Sequence, residues 1–260
     1  MLASLAVRTR RLLKYFGIRK EVAPDGLTLP FWHAEMARRY DRIYRAVRPY
    51  TMTSFERVAA LCQSVAHLEA KGISGAVVEC GVWRGGSMMA AAFALQHLES
   101  TTRQLYLFDT FSGMPEPRPI DRDRDGRPAS DWLRDETAAG DMVRACCDLP
   151  TVRQAMLRTR YPWKKIVFVP GRVEEVLPAE APGKIALLRL DTDWYESTYH
   201  ELEHLWPRLV EGGVLIIDDY GHWQGTRRAV DEYFARHRIA SPLHAIDYTG
   251  RLVVKASRAA

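Results

Sequence analysis

From residue 76 onward the chain alternates short, almost wholly apolar runs with longer stretches whose apolar residues recur every three or four positions. The runs are Ala76–Cys80, Leu105–Phe108, Ile166–Val169, Ile185–Leu190 and Val214–Ile217. Apolar runs this short, without polar alternation, predict strands covered on both faces. The helical patterns between and after them lie at about 87–99, 151–160, 196–210 and 225–237. Strands separated by helices require crossover connections, so the pattern predicts an α/β protein with a doubly wound, mostly parallel sheet. Two last runs, near His244–Asp247 and Leu252–Lys255, are joined by Tyr248-Thr249-Gly250. That short turn predicts an antiparallel hairpin closing a seven-stranded sheet at its C-terminal end.

Upstream, Phe55, Val58, Ala59, Leu61, Cys62, Val65 and Leu68 recur at helical spacing behind Thr53-Ser54, a pair suited to cap a helix. Residues 1–50 have poorer apolar spacing, broken by Pro30 and Pro49, and read as a helical extension lying outside the main domain of 51–260. The second strand is followed by about 40 residues, roughly 112–150, with prolines at 115, 117 and 119 and the charged run Asp121-Arg122-Asp123-Arg124-Asp125-Gly126. A loop that long inside a compact domain is usually functional, and a lid over the site is expected there.

Composition narrows the setting. The net charge is +5, but 37 Lys and Arg are dispersed among 32 Asp and Glu, which makes no case for a nucleic-acid partner. The four cysteines, Cys62, Cys80, Cys146 and Cys147, form neither a disulfide framework nor a paired zinc motif, and a reduced, cytoplasmic setting is expected. No stretch offers the roughly 20 apolar residues that span a bilayer. Residues 1–18 carry Arg8, Arg10, Arg11 and Lys14 against Leu5, Leu12, Leu13 and Phe16. That apolar face is read as a docking surface for the same chain or its twin in a homo-oligomer, not as a membrane anchor.

Candidate chemistry gathers where strands end. Glu79-Cys80-Gly81-Val82-Trp83-Arg84-Gly85-Gly86-Ser87 joins a strand to a helix, where glycines admit a close ligand and the helix start offers free N–H groups. Its spacing is not G-x-G-x-x-G, and an acid two residues before the first glycine suits a cationic or amine-bearing ligand better than a pyrophosphate. Asp109 ends the second strand, placed to accept hydrogen bonds from ribose hydroxyls. Asp191 and Asp193 follow the fourth strand and Asp218 and Asp219 the fifth. If those strands are neighbours, four carboxylates converge at one sheet edge, and hard oxygen donors so close call for Mg²⁺ or a similar ion. An extended segment past Asp191 would point Asp191 and Asp193 to the same side.

Two tempting motifs fail on spacing. His200-Glu201-Leu202-Glu203-His204 has the zinc-protease form, but both histidines sit about 200° around the helix from Leu202 and are expected to face solvent. Asp121-x-Asp123-x-Asp125-Gly126 begins like a calcium loop, yet its twelfth position is Trp132 and Pro128 interrupts it. A charged, solvated loop is expected instead.

Taken together, the segments Tyr50–Ser54, Val78–Ser87, Leu107–Pro115, Leu188–Thr198 and Ile217–Trp223 resemble the macrocin O-methyltransferases of the TylF, MycF and NovP type, which methylate deoxysugar hydroxyls on antibiotics. The resemblance runs in order from about residue 50 to 235. It implies a Rossmann-like class I methyltransferase fold, S-adenosylmethionine as donor, and a small-molecule glycoside as acceptor. It further implies that Glu79, Gly81, Ser87 and Asp109 hold the donor with Thr51 and Met52 reaching over it. Asp191, Asp218 and Asp219 would bind Mg²⁺, Asp193 would be the general base, and His222 is a possible contact to the acceptor. Methylation of a catechol, a nicotinamide-dependent dehydrogenase and a non-catalytic cofactor-binding module remain as other readings. The glycine spacing and the terminal hairpin argue against the dehydrogenase.

Overall fold

The structure, a computed structural model, describes residues 34–256. The basic apolar stretch at 1–18 lies outside the described residues. No helix among the described residues is long and apolar enough to cross a membrane.

Seven strands form one sheet in the order β3-β2-β1-β4-β5-β7-β6. They are β1 (Ala76–Cys80), β2 (Leu105–Asp109), β3 (Ile166–Pro170), β4 (Ile185–Leu190), β5 (Leu209–Ile217), β6 (His244–Ala245) and β7 (Arg251–Val254). The first five are parallel, and β7 pairs antiparallel with both β5 and β6. The strand order reverses between β1 and β4, so the C-terminal ends of those two strands open a crevice, the usual ligand position in such sheets. The hairpin turn is fixed by Asp247, whose Oδ1 accepts from the N–H groups of Thr249 and Gly250.

Helices cover both faces. One apolar layer packs α1 (Ala34–Val47), α2 (Phe55–Ala70) and α3 (Gly86–His97) on the sheet. α2 begins where expected, with the Ser54 side chain accepting from Arg57 N. α3 is apolar on all sides, which is why it is buried along most of its length. The other face carries α8 (Tyr195–Leu205) and α9 (Gln224–Arg236), packed against each other and on β4 and β5.

Four expectations need correction. Residues 40–50 are not outside the fold, because Tyr40 and Val47 of α1 are buried in the same cluster as α2 and α3. The helical pattern at 196–210 stops at Leu205, after which a 3-10 turn through Pro207 leads into a β5 that already starts at Leu209. His200 and His204 are half-buried, with ring centroids 4.4 Å apart and His200 Nε2 buried without a partner.

The charged run at 121–126 is not a solvated loop. Asp121 and Asp123 are buried, and their oxygens organise the chain around them. Asp121 Oδ1 accepts from Tyr195 N at the start of α8, and Asp123 accepts from the Trp132 indole and from the N–H groups of Asp125 and Arg127. A small apolar cluster of Ala129, Trp194 and Trp223, with Met114 and Val143 against it, fastens the 112–150 segment to the sheet's C-terminal edge. The segment contains α4 (Ala129–Leu133) and α5 (Ala138–Arg144), and α6 (Leu149–Arg158) and the short α7 (Val173–Val176) follow.

Candidate active site

The strand ends surround one cavity of about 340 Å³, with Gly81, Ser87 and Asp109 on its wall and Asp191, Asp193, Asp218 and Asp219 beside them. Thr51 and Met52 line it from above, carried by the segment that precedes α2. That segment lies hard on the start of α3, since a Cβ at Gly86 would collide with the Tyr50 carbonyl and Thr51. Gly81 is required for a related reason: its φ is +81° and a Cβ would strike the Asp191 carbonyl, so the loops after β1 and β4 pass in backbone contact.

On the β1–β2 side, Asp109 is anchored by backbone. Its Oδ2 accepts from Val82 N and Trp83 N at 2.6 and 2.9 Å, and its Oδ1 from Phe111 N at 2.7 Å. The carboxylate therefore shapes the glycine loop as well as facing the cavity. Glu79 is 1 % exposed and its Oε2 has no partner. Burial pushes its carboxyl up to about 7 against the opposing pull of Arg189. An orphaned, buried acceptor beside Ser87 fits a ligand bearing hydroxyl or amine donors.

Sequence reasoning missed Arg189. It sits within the otherwise apolar β4, 2 % exposed, directly opposite Glu79 in the register between β1 and β4. Its Nη1 donates to Glu79 Oε1 and to Asp191 Oδ2 (2.7 Å), and its Nη2 to Thr53 Oγ1 (3.1 Å) and Asp218 Oδ1. The available signal was a lone cation in a strand read as buried on both faces, because a buried charge must be paired. Arg57 of α2 was missed too; it pairs with Asp218 Oδ2 and Asp247.

The four aspartates do come to one edge, in two arrangements. Carboxylate oxygens of Asp191, Asp193 and Asp219 lie within 4.8 Å of one another. Asp218 is buried behind them, with one oxygen given to Arg189 and the other to Arg57. Burial would raise its carboxyl, but the two guanidiniums outweigh that and hold it below the usual carboxylate range. Asp191 and Asp193 go the other way. Burial raises both well above that range, reinforced for Asp193 by Asp219 and for Asp191 by Asp218 and Asp219 against the pull of Arg189. The backbone past Asp191 is not extended: Asp193 has φ +67°, a left-handed turn that Asp tolerates, with its carbonyl accepting from Thr226 Oγ1. His222 also lines the cavity, and its Nδ1 is buried without a partner.

A parallel sheet ending in an antiparallel hairpin, with an acidic crevice at the β1–β4 switch, defines a class I methyltransferase fold. The family model of the macrocin O-methyltransferases (TylF) matches residues 31–255, and the chain belongs to that family, whose members are enzymes that use S-adenosylmethionine. It is 36 % identical over 201 residues to the 8-demethyl-8-(2,3-dimethoxy-alpha-L-rhamnosyl)-tetracenomycin-C 4'-O-methyltransferase of Streptomyces olivaceus, covering 77 % of this chain and 74 % of the relative. It is 32 % identical over 225 residues to the mycinamicin III 3''-O-methyltransferase of Micromonospora griseorubida, covering 86 % and 85 %. The structure of the O-methyltransferase NovP superposes with a TM-score of 0.70 at 29 % identity, covering 80 % of this chain and 83 % of that one.

Proposed function

We propose that this enzyme transfers the methyl group of S-adenosylmethionine to a sugar hydroxyl of a glycosylated natural product, with Mg²⁺ in the acidic site. The observation that carries this is the excess of carboxylates along one cavity wall, Asp109, Glu174, Asp191, Asp193, Asp218 and Asp219 against Arg57 and Arg172, with Glu79 and Arg189 buried as a pair behind it. A sulfonium and a divalent cation are the charges that such a wall lacks. The 36 % identical 4'-O-methyltransferase of a rhamnosyl tetracenomycin and the 32 % identical mycinamicin III 3''-O-methyltransferase support the acceptor class.

The donor set fits the ion. All the available atoms are hard carboxylate oxygens, and two of the proposed ligands, Asp191 and Asp219, already lie close together beside Asp193. Asp191, Asp218 and Asp219 would hold it, since a carboxylate oxygen that accepts from an arginine keeps a second lone pair for a metal. When bound, the ion supplies a Lewis acid that lowers the pKa of an acceptor hydroxyl. Gly81, Glu79, Ser87 and Asp109 hold the donor, and Thr51 and Met52 close over it. Asp193 takes the hydroxyl proton as the acceptor oxygen bonds to the methyl carbon and the sulfur leaves with its electron pair.

The mouth of the cavity supports an acceptor with an apolar body beyond the sugar. Met52, Met142 and Tyr248 are 38–56 % exposed, and all three line it. The 112–150 segment, which contributes Met142, is the lid over that acceptor. A mass-spectrometric screen of deoxysugar glycosides, flavonoid catechols and free sugars with the donor, with and without Mg²⁺, tests the reading. Mg²⁺-dependent transfer to a glycoside is expected; full activity in excess chelator with no retained metal, or transfer only to catechols, would overturn it.

A further inference from the structure

Glu79 is buried behind the cavity and the acidic cluster lies on its wall, yet one guanidinium touches both. Arg189 Nη1 lies between Glu79 Oε1 on β1 and Asp191 Oδ2 past β4, while Nη2 reaches Asp218 past β5 and Thr53 in the segment that covers the cavity. At 2 % exposure this side chain has no water to exchange for a lost partner, so what one carboxylate gives up the others must absorb. The register fixes the arrangement: Arg189 faces Glu79 on the neighbouring strand, and Asp191 lies two residues beyond it. Arg57 adds a second cation only on the Asp218 side, where it also pairs with Asp247. Arg189 is thus the residue that joins the two halves directly.

We infer that Arg189 is a positioning residue that makes donor binding and divalent-metal binding cooperative, a statement that rests on the donor and metal reading given above. A cation at Asp191 draws that carboxylate away from Nη1 and repels the guanidinium, leaving Nη1 to Glu79. Glu79 is then held in place with Oε2 turned to the donor. In the reverse direction, donor contacts on Oε2 fix Glu79, and with it Arg189, toward β1, which loosens the hold on Asp191. The two effects are one coupling free energy and must be equal in size. Thr53 makes the same guanidinium sense the covering segment, but through a neutral hydroxyl.

The test is calorimetric and needs no turnover. S-adenosylhomocysteine, which lacks the sulfonium charge, is titrated into the wild-type enzyme with and without saturating Mg²⁺, and Mn²⁺ is titrated by electron paramagnetic resonance with and without the same probe. The wild type should bind the probe at least fivefold more tightly with Mg²⁺, and Mn²⁺ should tighten by the same factor with the probe. In Arg189→Lys, whose one nitrogen cannot serve Glu79 and Asp191 while a second stays anchored on Asp218 and Thr53, the factor should fall below twofold. Should that variant not fold, Glu79→Gln serves: with the probe absent, Mn²⁺ should bind several-fold more weakly, although Glu79 is not among the proposed ligands, because Arg189 then turns to Asp191. A purely structural arginine would shift melting temperature and leave the coupling factor alone. Probe and metal both binding to the wild type but independently would overturn the coupling while leaving the function intact. Neither binding would overturn the functional reading and the coupling with it.

Discussion

Asp109 and Asp193 are the same side chain at the same sheet edge, and the protein treats them in opposite ways. Three backbone N–H groups converge on Asp109, so its carboxylate is fixed by the protein alone, with acceptor capacity to spare, and the glycine loop is shaped around it. Asp193 stands in a left-handed turn, facing Asp219 and Asp191, and burial raises its carboxyl well above the ordinary range with Asp219 adding to the effect. The difference teaches where the site is finished and where it waits. Around Asp109 the β1–β2 half is a preorganised cradle; the β4–β5 half concentrates like charge, the arrangement that the proposed metal would relieve.

The comparison breaks most directly at Asp193. Asp193→Asn keeps the shape but removes the proton acceptor, so turnover should fall by about 10² or more, the usual scale of general-base catalysis, with Mg²⁺ and donor affinity nearly unchanged. Steady-state kinetics across Mg²⁺ concentration decide the matter. Rescue by excess Mg²⁺ would make Asp193 a ligand and Asp218, already held by two arginines, the outer anchor.

A smaller effect is expected at the finished half. Asp109→Ala removes an anchor for Val82, Trp83 and Phe111, so donor affinity should drop by about tenfold while the acceptor KM barely moves, an asymmetry readable by calorimetry and kinetics together. Equal losses on donor and acceptor would mean that Asp109 shapes the whole cavity, and that the two halves are less separate than their hydrogen bonds indicate.

The smallest effect sharpens the contrast from beneath the site. Glu201 of α8 is fully buried under the Asp191–Asp193 turn, bonded to Thr192 Oγ1, with Oε1 unpartnered and Cys80 and Glu174 as its other titratable neighbours. Burial raises its carboxyl well above the ordinary value, so the folded state binds this proton more tightly than the unfolded one. Its contribution to stability is then present at acid pH and is lost as pH rises from about 4.3 toward the raised value. Glu201→Gln removes that loss, and at pH 8 the variant should melt at or about 2 °C above the wild type, with a flatter dependence of melting temperature on pH. A variant that melts lower at pH 8 would show an ionised Glu201 that the fold relies on.

Most of the sheet was legible in the chain because strand and helix patterns are local: β1, β2 and β3 begin where their apolar runs begin, and Ser54 caps α2. The gathering of Gly81, Ser87, Asp109 and the acids after β4 and β5 around one cavity was legible for the same reason, since they stand at fixed offsets from strand ends. What the sequence could not decide was which polar groups would find one another. Arg189 reads as an interruption in an apolar run until the register sets it opposite Glu79. Asp121 and Asp123 read as solvent-facing until Trp132 folds back on them and Tyr195 and Trp223 close from distant parts of the chain. A hydrophobic period is written into neighbouring residues, whereas the partner of a buried charge lies on another strand and is chosen only when the sheet assembles.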